Sequence, residues 1–288
     1  MKLLYINVVM LLLHACTGTS EKLEKEVIAV SILPQRYFVE QIAGQEFDIH
    51  VMIPPGASPA TFDPSPKNLT RIADAKAYFK IGHIEFEKGW DEKMKSISKE
   101  LIFYDLSEGI ALISGSDHGD HHHGIDPHVW MSVKNVKQIA TNILNALQEL
   151  NPSKQEAYDE NYLQFIHDLD SLDQWISEQL SSREHDMFLI FHPALTYYAR
   201  DYGLEQESLE FEGKQPTPKH FKKITEKAKQ HGIRYVFIQK QFDIENAQIL
   251  ANQINANIIE IDPLNEHWKD EIISVTKKLK KALNGSIN

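Results

Sequence analysis

The chain has 288 residues, 42% hydrophobic and 25% charged, which is enough for two ordinary domains with real cores. Its net charge of −11 excludes a basic surface that tracks nucleic-acid phosphates. The single cysteine, Cys16, excludes an intramolecular disulfide, so the core alone must supply the stability.

Residues 1–16, MKLLYINVVMLLLHAC, join one early lysine to an apolar run from Leu3 to Leu13. That run is too short to span a bilayer and too apolar for a soluble terminus, so it reads as an export signal. Leu13-His14-Ala15-Cys16 resembles a bacterial lipobox, after which Cys16 carries lipid and holds the protein on a membrane. Plain secretion with an incidental cysteine is the alternative. Residues 17–26 are small and charged, as suits a tether.

A strand over 27–32, a helix carrying Tyr37, Phe38 and Ile42 up to Gly44, and a strand over 47–53 make a βαβ unit, hence a parallel sheet. The proline-dense stretch PPGASPATFDPSP (54–66) continues neither element and is a loop leaving a strand end. A helix over 67–76 and a strand over 77–81 follow. Ser132 caps a helix whose apolar positions run from Val136 to Leu150, and Asn151-Pro152 interrupts it. Ser153 to Glu156 has the pattern of a capping box, and no glycine or proline occurs over 153–182. An unbroken helix there runs on the order of 45 Å and reads as a rigid strut. In the second half, strands are expected over 187–191, 234–238 and 257–261. Helices are expected up to Gly203, over 245–253 and from about Asp270. The predicted architecture is two α/β lobes (27–150 and 184–288), each with a mostly parallel sheet, bridged by one long rigid α-helix (151–183).

Ligands in open α/β sheets bind beyond the carboxyl ends of the strands. His192-Pro193 follows the run MFLIF, Asp262-Pro263 follows NIIEI, and Asp126-Pro127-His128 precedes VWMSV. Imidazole and carboxylate beside a stiffening proline are what a fixed metal shell needs. His128, His192 and Asp262 thus form a candidate metal set in one cleft. Each also has a plain structural reading: a histidine bonded to backbone, an aspartate capping a turn.

The segments PPGASPATFDPSP, DPHVWMSV, FHPALTYYARDYGL and IIEIDPL, in this order, resemble the signature segments of the zinc/manganese-binding solute-binding proteins of metal ABC importers (cluster A-I, ZnuA/TroA-like). The resemblance runs from about Val27 to the end of the chain and includes the long helix. It implies that His128 and His192 are imidazole ligands and Asp262 the carboxylate near or on the metal. It also implies a membrane permease and an ATPase as partners, and a monomeric protein exported to the periplasm or cell surface. One position departs from the family pattern: Ala60 stands where PGASPHTF has its histidine, so the usual first-lobe ligand is missing. His83, after the strand ending at Ile81, is the first candidate to replace it. Glu85 and Glu87 are weaker candidates, and Glu207 and Glu210 weaker again. Three imidazoles with one carboxylate favour Zn²⁺, whereas two carboxylates move the balance toward Mn²⁺. The segment SDHGDHHHG, with His118, His121, His122 and His123, resembles the His-rich loop of zinc-specific relatives and suits loose zinc collection. A solvated acidic loop without a role is the plainer reading.

Two rival functions stand beside transport. A secreted metal-dependent hydrolase needs an open coordination position, yet neither His-Glu-x-x-His nor Gly-x-Ser-x-Gly occurs. A lipid-anchored surface adhesin is the third. The expectation is a binding protein, not an enzyme.

Overall fold

The computed structural model describes residues 25–114, 124–210, 217–242 and 244–285. The export signal with Cys16 and the four loop histidines His118, His121, His122 and His123 lie outside these residues.

The first sheet comprises β1 (Val27–Val30), β2 (Asp48–Val51), β3 (Ala75–Lys80) and β4 (Ile102–Asp105) in the order β2-β1-β3-β4. The second comprises β5 (Met187–Ile190), β6 (Glu205–Ser208), β7 (Tyr235–Gln239) and β8 (Asn257–Ile261) in the order β6-β5-β7-β8. Every pairing in both sheets is parallel. Both lobes therefore share one topology, and in each the strand order reverses between the first and third strands. That switch point is where an open parallel sheet leaves a crevice at its carboxyl end.

The helices are α1 (Leu33–Ala43), α2 (Pro66–Ala73), α3 (Glu85–Ile97), α4 (Val133–Leu150), α5 (Gln155–Leu180), α6 (Thr196–Tyr202), α7 (Pro218–Gln230), α8 (Ile244–Ile254) and α9 (Trp268–Leu283). Local chemistry sets several starts. Ser65 caps α2 ahead of Pro66, and Ser132 caps α4 by accepting from the Asn135 amide at 3.0 Å. The capping box expected at Ser153 does not form. Pro152 starts a short 3₁₀ turn, Ser153 Oγ donates back to Asn151 Oδ1 at 2.7 Å, and α5 begins at Gln155 without a side-chain cap. Glu156 in the first turn still complements the helix dipole.

Helix α5 has 26 residues, about 39 Å at 1.5 Å per residue. Its buried stripe, Tyr158, Phe165, Leu169, Leu172, Ile176 and Leu180, follows helical spacing. It packs on α1 and α4 of the first lobe and on α9 of the second. Phe165 meets the rings of Tyr37 and Phe38 on α1, and Trp268 of α9 stands edge-on to Phe38 at 5.1 Å.

The second sheet divides its faces between two cores. On β5, Phe188 and Ile190 join the large core that runs through α5 into the first lobe. Leu189, and Phe191 just past the strand, join a smaller one beneath α7 and α8 with Leu250 and Ala251. The lobes are thus joined through a continuous apolar core as well as by a helix.

Candidate functional site

The strand ends aim loops from both lobes at one cavity of about 240 Å³. His128 and His192 line it together, their ring centroids 5.1 Å apart and nearly perpendicular. Both imidazoles are braced in the same way. His128 Nδ1 lies 2.8 Å from Asp126 Oδ1, which also accepts from the His128 amide at 2.9 Å. His192 Nδ1 lies 2.6 Å from Oε2 of buried Glu210. An ionised carboxylate only accepts, so each Nδ1 carries the hydrogen and each Nε2 keeps the lone pair that a metal ion needs.

Further contacts hold these rings in place. Phe242 stacks on His192 at 4.8 Å with 23° between planes. Gln239, the last residue of β7, donates from Nε2 to the His192 carbonyl. Beyond His128, a 3₁₀ turn over Val129–Met131 buries Trp130 completely. Trp130 Nε1 donates to the Pro263 carbonyl and Trp268 Nε1 donates to the Trp130 carbonyl, both at 2.8 Å. The two indoles tie the DPHVW turn of the first lobe to the IDPL turn of the second. Tyr197 adds a third link, its hydroxyl donating to the Asp126 carbonyl at 2.8 Å.

Electrostatics favour neutral imidazole at the second ring. Burial holds His192 below its ordinary value, its hydrogen bond to Glu210 opposes this, and the neighbouring His128 lowers it further. Burial pushes the Asp126 carboxyl up, but its hydrogen bonds with the His128 ring and amide help to hold it below the usual carboxylate range.

The other expected ligands stand elsewhere. Asp262 lines an adjoining cavity of about 140 Å³ rather than the one between the imidazoles. Its Oδ1 accepts from Gln241 Nε2 at 2.9 Å, and its Oδ2 lies 3.6 Å from Lys240 Nζ. Gln241 and Leu264 line both cavities. His83 is not among the residues lining the imidazole cavity. The charges acting on it, Asp105, Lys88 and Lys80, belong to its own lobe, and burial lowers its affinity for a proton. The reason is the turn after β3, where α3 begins two residues past His83 and turns Ile84 and Glu85 to the cavity instead. Ala60 also lines this cavity, so the expected first-lobe position is occupied by a methyl group. Among the described residues, no three His, Cys, Asp or Glu side chains are placed together to hold a metal ion.

The remaining acidic candidates have structural work. Glu87 is fully buried and accepts from the amides of Ile81 (2.8 Å) and Gly82 (2.6 Å) and from the Ser31 hydroxyl. Burial pushes its carboxyl up to about 7 against those hydrogen bonds. Glu207 pairs with Lys227, and Glu210 orients His192. The indole links and the role of Glu210 were not foreseen from sequence. The one available signal was that DPHVW and IDPL both carry a proline beside a candidate ligand.

The chain resembles several known proteins in sequence and in fold. The family model described as ZnuA, zinc-uptake complex component A periplasmic, matches residues 28–283. The zinc-binding lipoprotein AdcA of Streptococcus pneumoniae (strain ATCC BAA-255 / R6) is 27% identical over 300 residues, taking in 98% of this chain and 60% of that protein. The chain therefore spans about 60% of the length of that relative. The high-affinity zinc uptake system protein ZnuA of Bacillus subtilis (strain 168) is 27% identical over 303 residues, with 96% of this chain and 94% of that protein covered. Among solved structures, a ZnuA deletion mutant with zinc bound superposes with a TM-score of 0.86 at 32% identity, covering 92% of this chain and all (100%) of that one.

Proposed function

Because this chain belongs to the ZnuA family of periplasmic zinc-uptake components, we propose that it captures Zn²⁺ between its lobes outside the cytoplasm and passes it to a membrane permease driven by an ATPase. One observation carries this reading. Two imidazoles, one on each side of the inter-lobe cavity, stand 5.1 Å apart with each Nδ1 tied to a carboxylate. Carboxylate-braced imidazoles with free Nε2 atoms are the donors that borderline Zn²⁺ prefers, and Mn²⁺ is the less favoured cargo.

In this reading His128 and His192 bind first, because both are already oriented. Asp262 joins when Gln241 moves aside, exchanging its contacts to Gln241 and Lys240 for the metal. The shared core and the indole links make this a small rocking of the lobes rather than a wide hinge opening. Lipid on Cys16 keeps the protein near its permease, and the histidines of 118–123 collect zinc loosely. The relatives are named for zinc binding and uptake rather than catalysis, which supports a binding protein over a hydrolase.

Calorimetric titration with zinc tests the reading. The intact protein is expected to bind one ion tightly, and His128→Ala and His192→Ala each to lose that binding. Tight binding that survives both substitutions sinks it.

A further inference from the structure

We infer that Glu85 is the metal ligand that replaces the histidine missing at Ala60, so that this chain holds its cargo with two imidazoles and a first-lobe carboxylate. The inference rests on the metal-capture reading and names a ligand within it. The lining of the cavity between the lobes contains three ionisable side chains, Glu85, His128 and His192. Ala60 shares that lining without a donor atom, while His83 and Asp262 stand outside it. Glu85 is therefore the one acidic residue among the described residues that line this cavity, on the side Ala60 leaves bare.

The local structure explains why this residue, and not His83 or Glu87, lines the cavity. Glu87 pins the turn after β3 through the amides of Ile81 and Gly82. Gly82 has φ +93°, and the Asp105 carboxylate lies where a Cβ would stand, so the turn admits no larger residue there. With the turn fixed, α3 starts at Glu85. Its carboxylate sits on the first turn with its partner Lys88 Nζ at 3.4 Å, and both side chains are exposed. Exposed pairs of this kind contribute little, so the carboxylate leaves Lys88 at little cost. It reaches the metal by side-chain rotation as the cleft closes, which accounts for the lack of a ready-made three-ligand cluster among the described residues.

The ligand set changes the expected selectivity. A carboxylate in place of a third imidazole makes the site harder, which narrows the preference for Zn²⁺ over Mn²⁺. If Asp262 also binds, two carboxylates face two imidazoles.

The test uses the full chain and zinc alone, with a chromophoric chelator as competitor. Glu85→Ala and Glu85→Gln are expected to weaken zinc by about 10–100-fold or more, since even outer-shell losses reach that range. Glu92→Ala, an exposed change on the same helix, is expected to leave affinity unchanged. Glu85→His is expected to retain zinc and to lower manganese affinity relative to zinc. If both Glu85 variants bind zinc as tightly as the intact chain while His128→Ala and His192→Ala do not, Glu85 is no ligand and the capture reading stands. If neither the histidine nor the glutamate variants alter binding, the capture reading itself fails. Melting temperatures of the metal-free variants, expected to match the intact chain, separate ligand loss from misfolding.

Discussion

The two walls of the cavity are built to different standards. On the second-lobe wall, His192 is fixed at its ring nitrogen by Glu210, on its face by Phe242 and at its backbone by Gln239. On the first-lobe wall away from His128, the chain offers Pro59, Ala60 and the exposed Glu85. A braced ring loses little entropy on binding and needs no rearrangement, whereas a free carboxylate must be ordered by the metal.

The largest expected effect belongs to the braced wall. His192→Ala is expected to weaken zinc by more than about 100-fold, beyond the range seen for outer-shell losses, read by chelator competition. Glu210→Gln keeps the size of the side chain but removes the charge behind the ring. It is expected to cost about 10–100-fold in zinc affinity, with Asp126→Asn matching it at the other imidazole. Equal effects of Glu210→Gln and an exposed control such as Glu92→Ala would show that the brace is unimportant.

Adding a donor to the bare wall is expected to act in the opposite direction. Ala60→His supplies an imidazole at the cavity lining and is expected to tighten zinc and to raise its preference over manganese, measured by competition between the two ions.

Acidity provides a further separation. The His192 ring is held below the ordinary imidazole value of 6.5, so it stays neutral at neutral pH. In the metal-free protein the unfolded chain takes up this proton first. The stability from His192 is thus present above 6.5 and lost as pH falls through the folded value. Glu87 has the opposite sign. Its carboxyl is raised from 4.5 to about 7, so the stability of its protonated form is present below 4.5 and lost as pH rises through about 7. Denaturant melts of Glu87→Gln across this range are expected to show a smaller loss of stability toward alkaline pH than the intact chain.

A separate effect, on stability rather than affinity, is expected at the link between the lobes. Trp130→Phe leaves the Pro263 carbonyl without its donor, a loss of about 1–3 kcal/mol, detectable as a lower denaturation midpoint.

Much of this architecture was legible in residue patterns. Val27–Val30, Met187–Ile190 and Asn257–Ile261 are apolar or β-branched runs with clear breaks, and each is a strand. The stripe from Tyr158 to Leu180 marks α5 with equal clarity. By contrast β6, Glu205-Gln-Glu-Ser208, is a polar edge strand that hydropathy does not reveal. Helix α3 starts without a side-chain cap, so the facing of His83 against Glu85 depended on a turn set by buried Glu87, a tertiary contact. His128 and His192 were legible because a proline adjoins each one. The partner that orients His192 lies 18 positions away, a distance over which no local pattern operates.

The most direct test is a crystal of the zinc-loaded protein measured on both sides of the zinc absorption edge. The expected result is one strong anomalous peak between His128 and His192, with a carboxylate completing the shell. A peak confined to the histidines of 118–123, with none between those two rings, would contradict capture in the cleft.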